Sequence, residues 1–420
     1  MLRLFVASLA LAASAAAQPS RANYDESKVP NYQLPELLVT RAGEPVKDSA
    51  AWRSRRRPEV FALLESQMFG HAPGRPERMS FELASIDRKA LGGKAVRKEV
   101  TIDIAGHKLN VLLYLPANAR GKTPVFVGLN FNGNHTIHAD PGIRLARRWD
   151  ADKSTGKAIA ATAPADTRGT RASRWQLDAI ISRGYGLATV YYGDIEPDFD
   201  GMLPESVRAQ YLKGAAAPAA GEWGAIGAWA WGLSRILDYL ETDPDVDSKH
   251  IAVMGHSRLG KTALWAGAVD PRWALVISND SGEGGAAISR RVFGETVADL
   301  NRAFPHWFCA NYKQYSRRES DMPFDSHMLI ALIAPRPVYI ASAVEDRWAD
   351  PKGEFLGAVA ASPVWTLYGK KGVDPGPFPE IHHPTGGVVR YHVRAGVHDV
   401  TAYDWEQYLN FADEQFGRRQ

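Results

Sequence analysis

The sequence has a single cysteine, Cys309, in 420 residues. An intrachain disulfide is therefore excluded, and stability must come from a core rather than from staples. Net charge is nearly absent, at +3 from 50 basic and 47 acidic side chains. No basic stripe with interleaved aromatics exists, which argues against a nucleic-acid partner. The densest basic run, in "RSRRRPE" from Arg53 to Glu59, reads as the solvated approach to a helix "PEVFALLESQMFG" opened by Pro58. Beyond the N-terminus no stretch of about 18 apolar residues occurs, so no membrane span is expected. Metal-ligand spacing is also lacking. His382 and His383 are neighbours in a Pro/Gly-rich loop and read as surface residues, because adjacent side chains do not converge on one ion. No metal or organic cofactor is expected.

What is present is an ordinary globular composition, 45% hydrophobic and 23% charged, enough for a large core. The opening "MLRLFVASLALAASAAAQPS" has a basic start, a short apolar stretch and small residues ending at Ala17. That is the grammar of a secretory signal peptide covering residues 1–17. Residues 18–420 are then expected as one exported domain, periplasmic or extracellular, and monomeric. Residues 18 to about 50 are polar and read as an extended arm.

Strand and helix patterns alternate from there. "VRKEVTIDIAGHKLNVLLYLPA" (96–117) alternates twice and predicts an antiparallel pair. "TPVFVGLNFNG" (123–133) reads as a buried strand. "SRWQLDAIISRGYGLATVYYGDIEPD" (173–198) reads as helix, turn, strand and acidic loop. Residues 226–247 predict an amphipathic helix with a proline stop. "KHIAVMG", "WALVISND", "PRPVYIASAVED" and "VVRYHVRAGVHD" supply further strands. The alternation implies an α/β fold, a three-layer αβα sandwich around a mainly parallel sheet. The stretches near 139–172 and 213–222 read as surface insertions over the carboxyl edge of the sheet, where such folds bind ligands.

"VMGHSRLGKTALWAG" (253–267) resembles a nucleophile elbow, the strand–turn–helix that presents a catalytic serine. Gly255 precedes Ser257 as G-x-S-x-G requires, but Leu259 fills the second glycine slot and Gly260 follows it. A helix N-cap serine would suit the same pattern. In this fold the order is serine, acid, histidine, which makes His398 in "RAGVHD" the candidate base. Two acids compete, Asp346 in "AVEDRW" and Asp280 in "SNDSGEGG", with Glu345 and Glu283 as weaker candidates. Two cations break the local rule that a helix N-terminus disfavours positive charge, Arg258 and Lys261. A guanidinium at Arg258 could hold a developing oxyanion, and Lys261, one turn on, could reach a group lying over the serine.

These residues carry a family resemblance. "GHSRLGK" resembles the Gly-Cys/His-Ser-Arg-x-Gly-Lys signature of the glucuronoyl esterases, carbohydrate esterase family fifteen. "NDSGEGGAAISRR", "AFPHWF", "EDRWADP" and "GVHD" resemble family segments in the same order. The resemblance implies an α/β-hydrolase acting on esters of (4-O-methyl-)glucuronic acid that join xylan to lignin alcohols. It implies Ser257 as nucleophile, His398 as base, Arg258 at the oxyanion and Lys261 on the uronate hydroxyls. Glu295, in "RRVFGET", matches a sugar-binding glutamate of bacterial members, and Trp348 a tryptophan lining the sugar site. The family places its acid after either strand, so Asp280 and Asp346 both stay open, with Asp346 favoured because Asp280 is one methylene shorter than the usual glutamate. Fungal relatives use disulfides, so the chain resembles the bacterial type. Other readings remain: an acetyl xylan or feruloyl esterase on the same fold, or a non-catalytic carbohydrate-binding homologue, which 12 tryptophans would suit.

Overall fold

The structure is a computed structural model that describes residues 22–152, 155, 157–212 and 218–418. The expected leader, residues 1–17, lies outside the described residues. Along the chain come β1 (Met79–Lys89), β2 (Ala95–Ile104), β3 (His107–Pro116), β4 (Thr123–Asn130), β5 (Arg147–Ala151) and β6 (Ala158–Thr162). They are followed by β7 (Gly186–Tyr191), β8 (Val246–His256), β9 (Leu275–Asn279), β10 (Val338–Ala343), β11 (Thr385–Gly386) and β12 (Val389–Arg394). Ten of them form one sheet in the order β1-β2-β3-β7-β4-β8-β9-β10-β12-β11. Pairing is antiparallel from β1 to β7 and parallel from β7 through β12.

Successive strand side chains face opposite sides, and both sides are covered. Val125 and Val127 pack into one core with the helices Ala225–Leu240 and Arg258–Val269. Phe126, between them, packs into a second core with the helices Leu177–Ser182 and Ala402–Gln415. That produces the three layers the alternating pattern implied, and the carboxyl ends of β4, β7, β8, β9, β10 and β12 converge on one edge. An insertion covers that edge: β5 and β6 form a separate hairpin, and Trp149 N–H donates to the hydroxyl of Tyr191, the last residue of β7, at 3.1 Å.

Three expectations need correction. The helix expected to open at Pro58 begins earlier, at Ser49, where the Asp48 carboxylate accepts from Ala51 N–H at 2.8 Å. The basic run is consequently part of that helix, and two of its arginines are not solvated. Arg56 binds the carbonyls of Glu36 and Leu37, and Arg57 those of Ala268 and Leu332. The helix expected over 226–247 stops at Leu240, and β8 starts at Val246. All 16 of its residues are buried: its polar residues Ser234, Arg235 and Asp238 are covered by the Gly74 carbonyl, Arg75 and Arg272, while Trp229 donates to the Glu196 carbonyl in the loop after β7 at 3.0 Å. Finally, β1 was not anticipated. It is an edge strand whose apolar positions are poorly buried, with Leu83 54% exposed.

Candidate active site

Ser257 stands between β8 and the helix Arg258–Val269 with φ 59° and ψ −130°, a conformation that costs a non-glycine residue energy. Its backbone is held by bonds from Ser257 N–H to Asn279 O at 2.9 Å and from Gly260 N–H to Ser257 O at 2.8 Å. A Cβ on Gly255 would lie 1.8 Å from the Leu259 carbonyl oxygen, which is why only glycine fits there. The second close approach falls at Gly260, where a Cβ would meet Ser281 at 3.0 Å. The displaced glycine of the motif therefore sits where the helix start packs closely on the end of β9. The Ser257 side chain makes no capping hydrogen bond, so it is not spent as an N-cap.

His398 lies in the loop after β12, and its ring rests 4.4 Å from that of His256, the residue before the serine. The buried Arg394 braces this loop, donating to the carbonyls of Ala395, Val397 and Asp399. Its ion pair with Asp404 fixes it in turn at 2.7 Å. His256 hydrogen-bonds Asn279 Oδ1 at 2.6 Å. Burial, followed by the charge of His398, pushes its pKa well below the usual histidine range, so the ring under His398 is neutral.

The two candidate acids are both close. Single ligand atoms of Asp280, Asp346 and His398 lie within 4.8 Å of one another. Asp346 Oδ2 is 2.5 Å from His398 Nδ1. Asp280 accepts instead from Ala343 N–H at 2.7 Å and faces Arg394 at 3.4 Å. Burial, with the Glu354 and Asp346 carboxylates nearby, pushes the Asp280 carboxyl well up despite Arg394. A carboxyl whose charged form burial disfavours is a poorer partner for an imidazolium, so the geometry and the electrostatics both favour Asp346. Of the weaker candidates, Glu345 is exposed and Glu283 is engaged with Ser289 and Tyr312. The three-residue group would also be the one set able to converge on a cation among the described residues, but the bond between Asp346 and His398 Nδ1 makes it read as an acid–base pair.

The two odd cations have buried partners. Arg258 pairs with Asp198, from the acidic loop after β7, and lies over the rings of Trp307 at 4.6 Å and Phe304 at 5.2 Å. Its Nε–H is buried without a hydrogen-bond partner among the described residues. The Asp198 carboxylate also accepts from Trp307 Nε1 at 2.7 Å and Tyr192 OH at 3.1 Å, and lies 2.9 Å from His306 Nε2. Burial by itself would push Asp198 up; the hydrogen bond from His306, the charge of Arg258 and the hydrogen bond from Trp307 outweigh it and hold the pKa at about 2. Lys261 is only 3% exposed, donates to the Ser281 carbonyl at 2.5 Å, and lies 3.7 Å from Glu295 Oε2. Burial pushes Lys261 down and Glu295 up, each opposed by the other's charge. Glu295 N–H donates to the Trp348 carbonyl at 2.9 Å, so these three sugar-site candidates are adjacent. Neither cation is paired with a surface acid.

Sequence reasoning missed Asp198 and His306. The available signal for Asp198 was an acid just past the carboxyl end of a buried strand, where such sheets place ligand-binding groups. His306 stood in "AFPHWF", without a spacing that linked it to Arg258.

Comparisons with known proteins bear on this site. A family profile described as glucuronyl esterase of fungi matches residues 218–369. A carbohydrate esterase from an unknown prokaryotic organism is 49% identical over 402 residues, covering 94% of this chain and 93% of the relative. A glucuronoyl esterase structure from Solibacter usitatus superposes with a TM-score of 0.89 at 53% identity, covering 93% of this chain and all 100% of that one. A 4-O-methyl-glucuronoyl methylesterase of Schizophyllum commune is 28% identical over 383 residues, covering 88% of this chain and 82% of the relative.

Proposed function

The chain belongs to the glucuronoyl esterases, carbohydrate esterase family fifteen, and we propose on that premise that Ser257, His398 and Asp346 carry its reaction. The protein is an ester hydrolase that cleaves esters of glucuronic acid. Ser257 Oγ attacks the uronoyl carbonyl carbon while His398 Nε2 takes its proton. Asp346 holds the Nδ1–H and stabilises the imidazolium. The oxyanion is met by the backbone N–H of Arg258 at the helix N-terminus and by its guanidinium. The C–O bond to the alcohol then breaks, and His398 returns the proton to the leaving oxygen. Water, activated by His398, attacks the acyl-enzyme, and the uronic acid leaves as Ser257 recovers its proton.

Lys261, Glu295 and Trp348 bind the sugar. The observation that carries this assignment is the buried Lys261–Glu295 pair one helical turn from Ser257, at 3.7 Å. Such a pair offers both donors and acceptors to ring hydroxyls, and a simple acetyl esterase has no use for it. The natural substrate is the ester joining a glucuronoxylan branch to a lignin alcohol, and the enzyme is exported after loss of residues 1–17. Among the described residues no helix is long and apolar enough to cross a membrane.

The test is turnover of benzyl glucuronate by residues 18–420, beside p-nitrophenyl acetate, with Ser257→Ala and Lys261→Ala variants. Uronate turnover that vanishes with Ser257→Ala and falls with Lys261→Ala, while acetate turnover falls less, is expected. Acetate turnover without uronate turnover would make this an esterase of another specificity.

A further inference from the structure

The side chain of His398 is 41% exposed, whereas that of its partner Asp346 is 6% exposed. Its one hydrogen bond, from Nδ1 to Asp346 Oδ2, fixes a point on the ring and leaves rotation about the bond axis open. Arg394 binds the carbonyls of Ala395, Val397 and Asp399, which sets the path of the chain rather than the plane of the imidazole. Proton transfer needs Nε2 aimed within hydrogen-bond reach of Ser257 Oγ and then of the leaving oxygen. Something else has to fix that plane.

His256 is placed to do so. Its ring centroid lies 4.4 Å from that of His398, with the planes 40° apart, at the close end of aromatic pair separations. His256 ends β8 and is the sheet partner of Asn279, which ends β9. Its Nδ1–H donates to Asn279 Oδ1 at 2.6 Å, and the Asn279 amide N–H donates in turn to the Tyr408 hydroxyl at 3.0 Å. Because the amide nitrogen is engaged with Tyr408, the amide oxygen faces His256. That fixes both the orientation of the ring and the nitrogen that carries its proton. Asn279 O also accepts from Ser257 N–H at 2.9 Å, so one residue anchors the backbone of the nucleophile and the ring beside the base. Phe131, just after β4, stands edge-on to His256 with the ring centroids 6.3 Å apart.

A ring in this place has to be uncharged, since His398 becomes an imidazolium during the reaction. A second cation would repel it, while the face of a neutral aromatic ring attracts it. The charged groups that bear on His256 are His398 itself, Arg174 from the insertion and Arg394 from β12, and each opposes a positive charge there. Arg174 is paired with Asp399 at 2.5 Å, and Arg394 with Asp404 at 2.7 Å and Asp280 at 3.4 Å. Burial acts in the same direction, with His256 only 6% exposed.

We propose that His256 is a positioning residue for the catalytic base: its ring sets the plane of His398, so that Nε2 stays aimed between Ser257 Oγ and the leaving oxygen. The proposal rests on the esterase reading, which makes His398 the base. His256 neither takes nor gives a proton in the reaction and acts only through His398. The residue before the serine thereby has a task beyond the sterics of the elbow.

The experiment measures kcat and KM for benzyl glucuronate, and the rate at which a fluorophosphonate labels Ser257. Residues 18–420 are used with His256→Ala, His256→Gln and His256→Phe, and melting temperatures are recorded. A misplaced catalytic group costs up to about 10² in rate, and a loosened one less. His256→Ala is expected to lower kcat about tenfold, which is about 1.4 kcal/mol, with KM changed less than about twofold. His256→Gln keeps a donor for Asn279 but no ring, and should lose as much. His256→Phe keeps the flat face and drops the bond, and should bring kcat to within about threefold of the wild type. Labelling should follow the same order, because it needs the same base and no sugar. Wild-type kcat in folded His256→Ala overturns the proposal, as does a loss in His256→Phe equal to that in His256→Ala. If His256→Ala does not fold, His256→Gln set against His256→Phe decides by the same comparison. If the wild type is labelled but turns over no uronate ester, the esterase reading fails and the labelling rates still decide the role of His256. A wild type that is not labelled overturns both.

Discussion

Replacing Asp198 by Asn tests whether Arg258 is aimed by a partner 60 positions away in the sequence. Asn keeps the volume and removes the charge. In the structure the Asp198 side chain is 2% exposed and binds Arg258, His306, Trp307 and Tyr192 together. Its carboxyl is held at about 2 against an ordinary 3.8. At about 1.4 kcal/mol per pH unit, that difference corresponds to roughly 2–3 kcal/mol favouring the ionised form. Asn forfeits this term and turns its amide N–H₂ towards a group that donates. Arg258 is then left largely buried without its counter-charge, and it can swing away from the carbonyl. Loss of one oxyanion donor costs roughly 10²–10³ in kcat. The expected outcome is therefore a fall in kcat of about that size on benzyl glucuronate, with KM changed much less, and a stability loss of about 2–3 kcal/mol. Steady-state kinetics and denaturant melts read the two effects separately. Because kcat at saturation is measured on the folded fraction, a variant with normal kcat and reduced stability would refute the positioning role and leave Asp198 a structural residue. Normal values for both would refute the energetic argument as well.

Two further outcomes follow from the same geometry. Asp346→Asn is expected to lower kcat by up to about 10⁴, as when an orienting acid is lost from a triad, while Asp280→Asn costs far less; a larger loss from Asp280→Asn would move the acid to β9. Glu354, fully buried, accepts from Ser281 N–H, Gly282 N–H and two serine hydroxyls, and burial pushes its carboxyl up from 4.5 to about 7. The folded protein thus binds this proton more tightly than the unfolded chain does, so the contribution is complete below about 4.5 and is lost as pH rises through about 7. It amounts to at most about 3 kcal/mol. Melting temperatures of Glu354→Gln should accordingly gain on those of the wild type between pH 5 and 8, and a constant difference across that range would refute the assignment.

The local devices were legible without coordinates because they are made within a few residues. Alternation in 96–117 specified two antiparallel strands, since the side-chain period of a strand is two. The run 253–267 specified the elbow, because the turn tolerates so few residue types at Gly255 and around Ser257. The chain order serine, acid, histidine pointed to His398 as the candidate base and to the ends of two strands for its acid. Choosing between those ends needed the sheet: β9 and β10 are neighbours, so Asp280 and Asp346 arrive side by side, and only packing sends one to His398 and the other to Ala343 and Arg394. The polar face expected on the helix after Gly224 was covered by Arg75 and Arg272, side chains from other loops that no periodicity announced. Arg258 and Lys261 were visible as anomalies, but their partners come from other loops, Asp198 after β7 and Glu295 after β9. The arm from Asn23 to Gln33 carried no signal beyond polarity, and its place beside Glu295 was decided by ion pairs to Arg291 and Lys352 that span more than 260 residues. Short-range sterics and hydrophobic period are written in the order of the residues; which distant charges meet is decided only when the chain has folded and burial makes each find its counterpart.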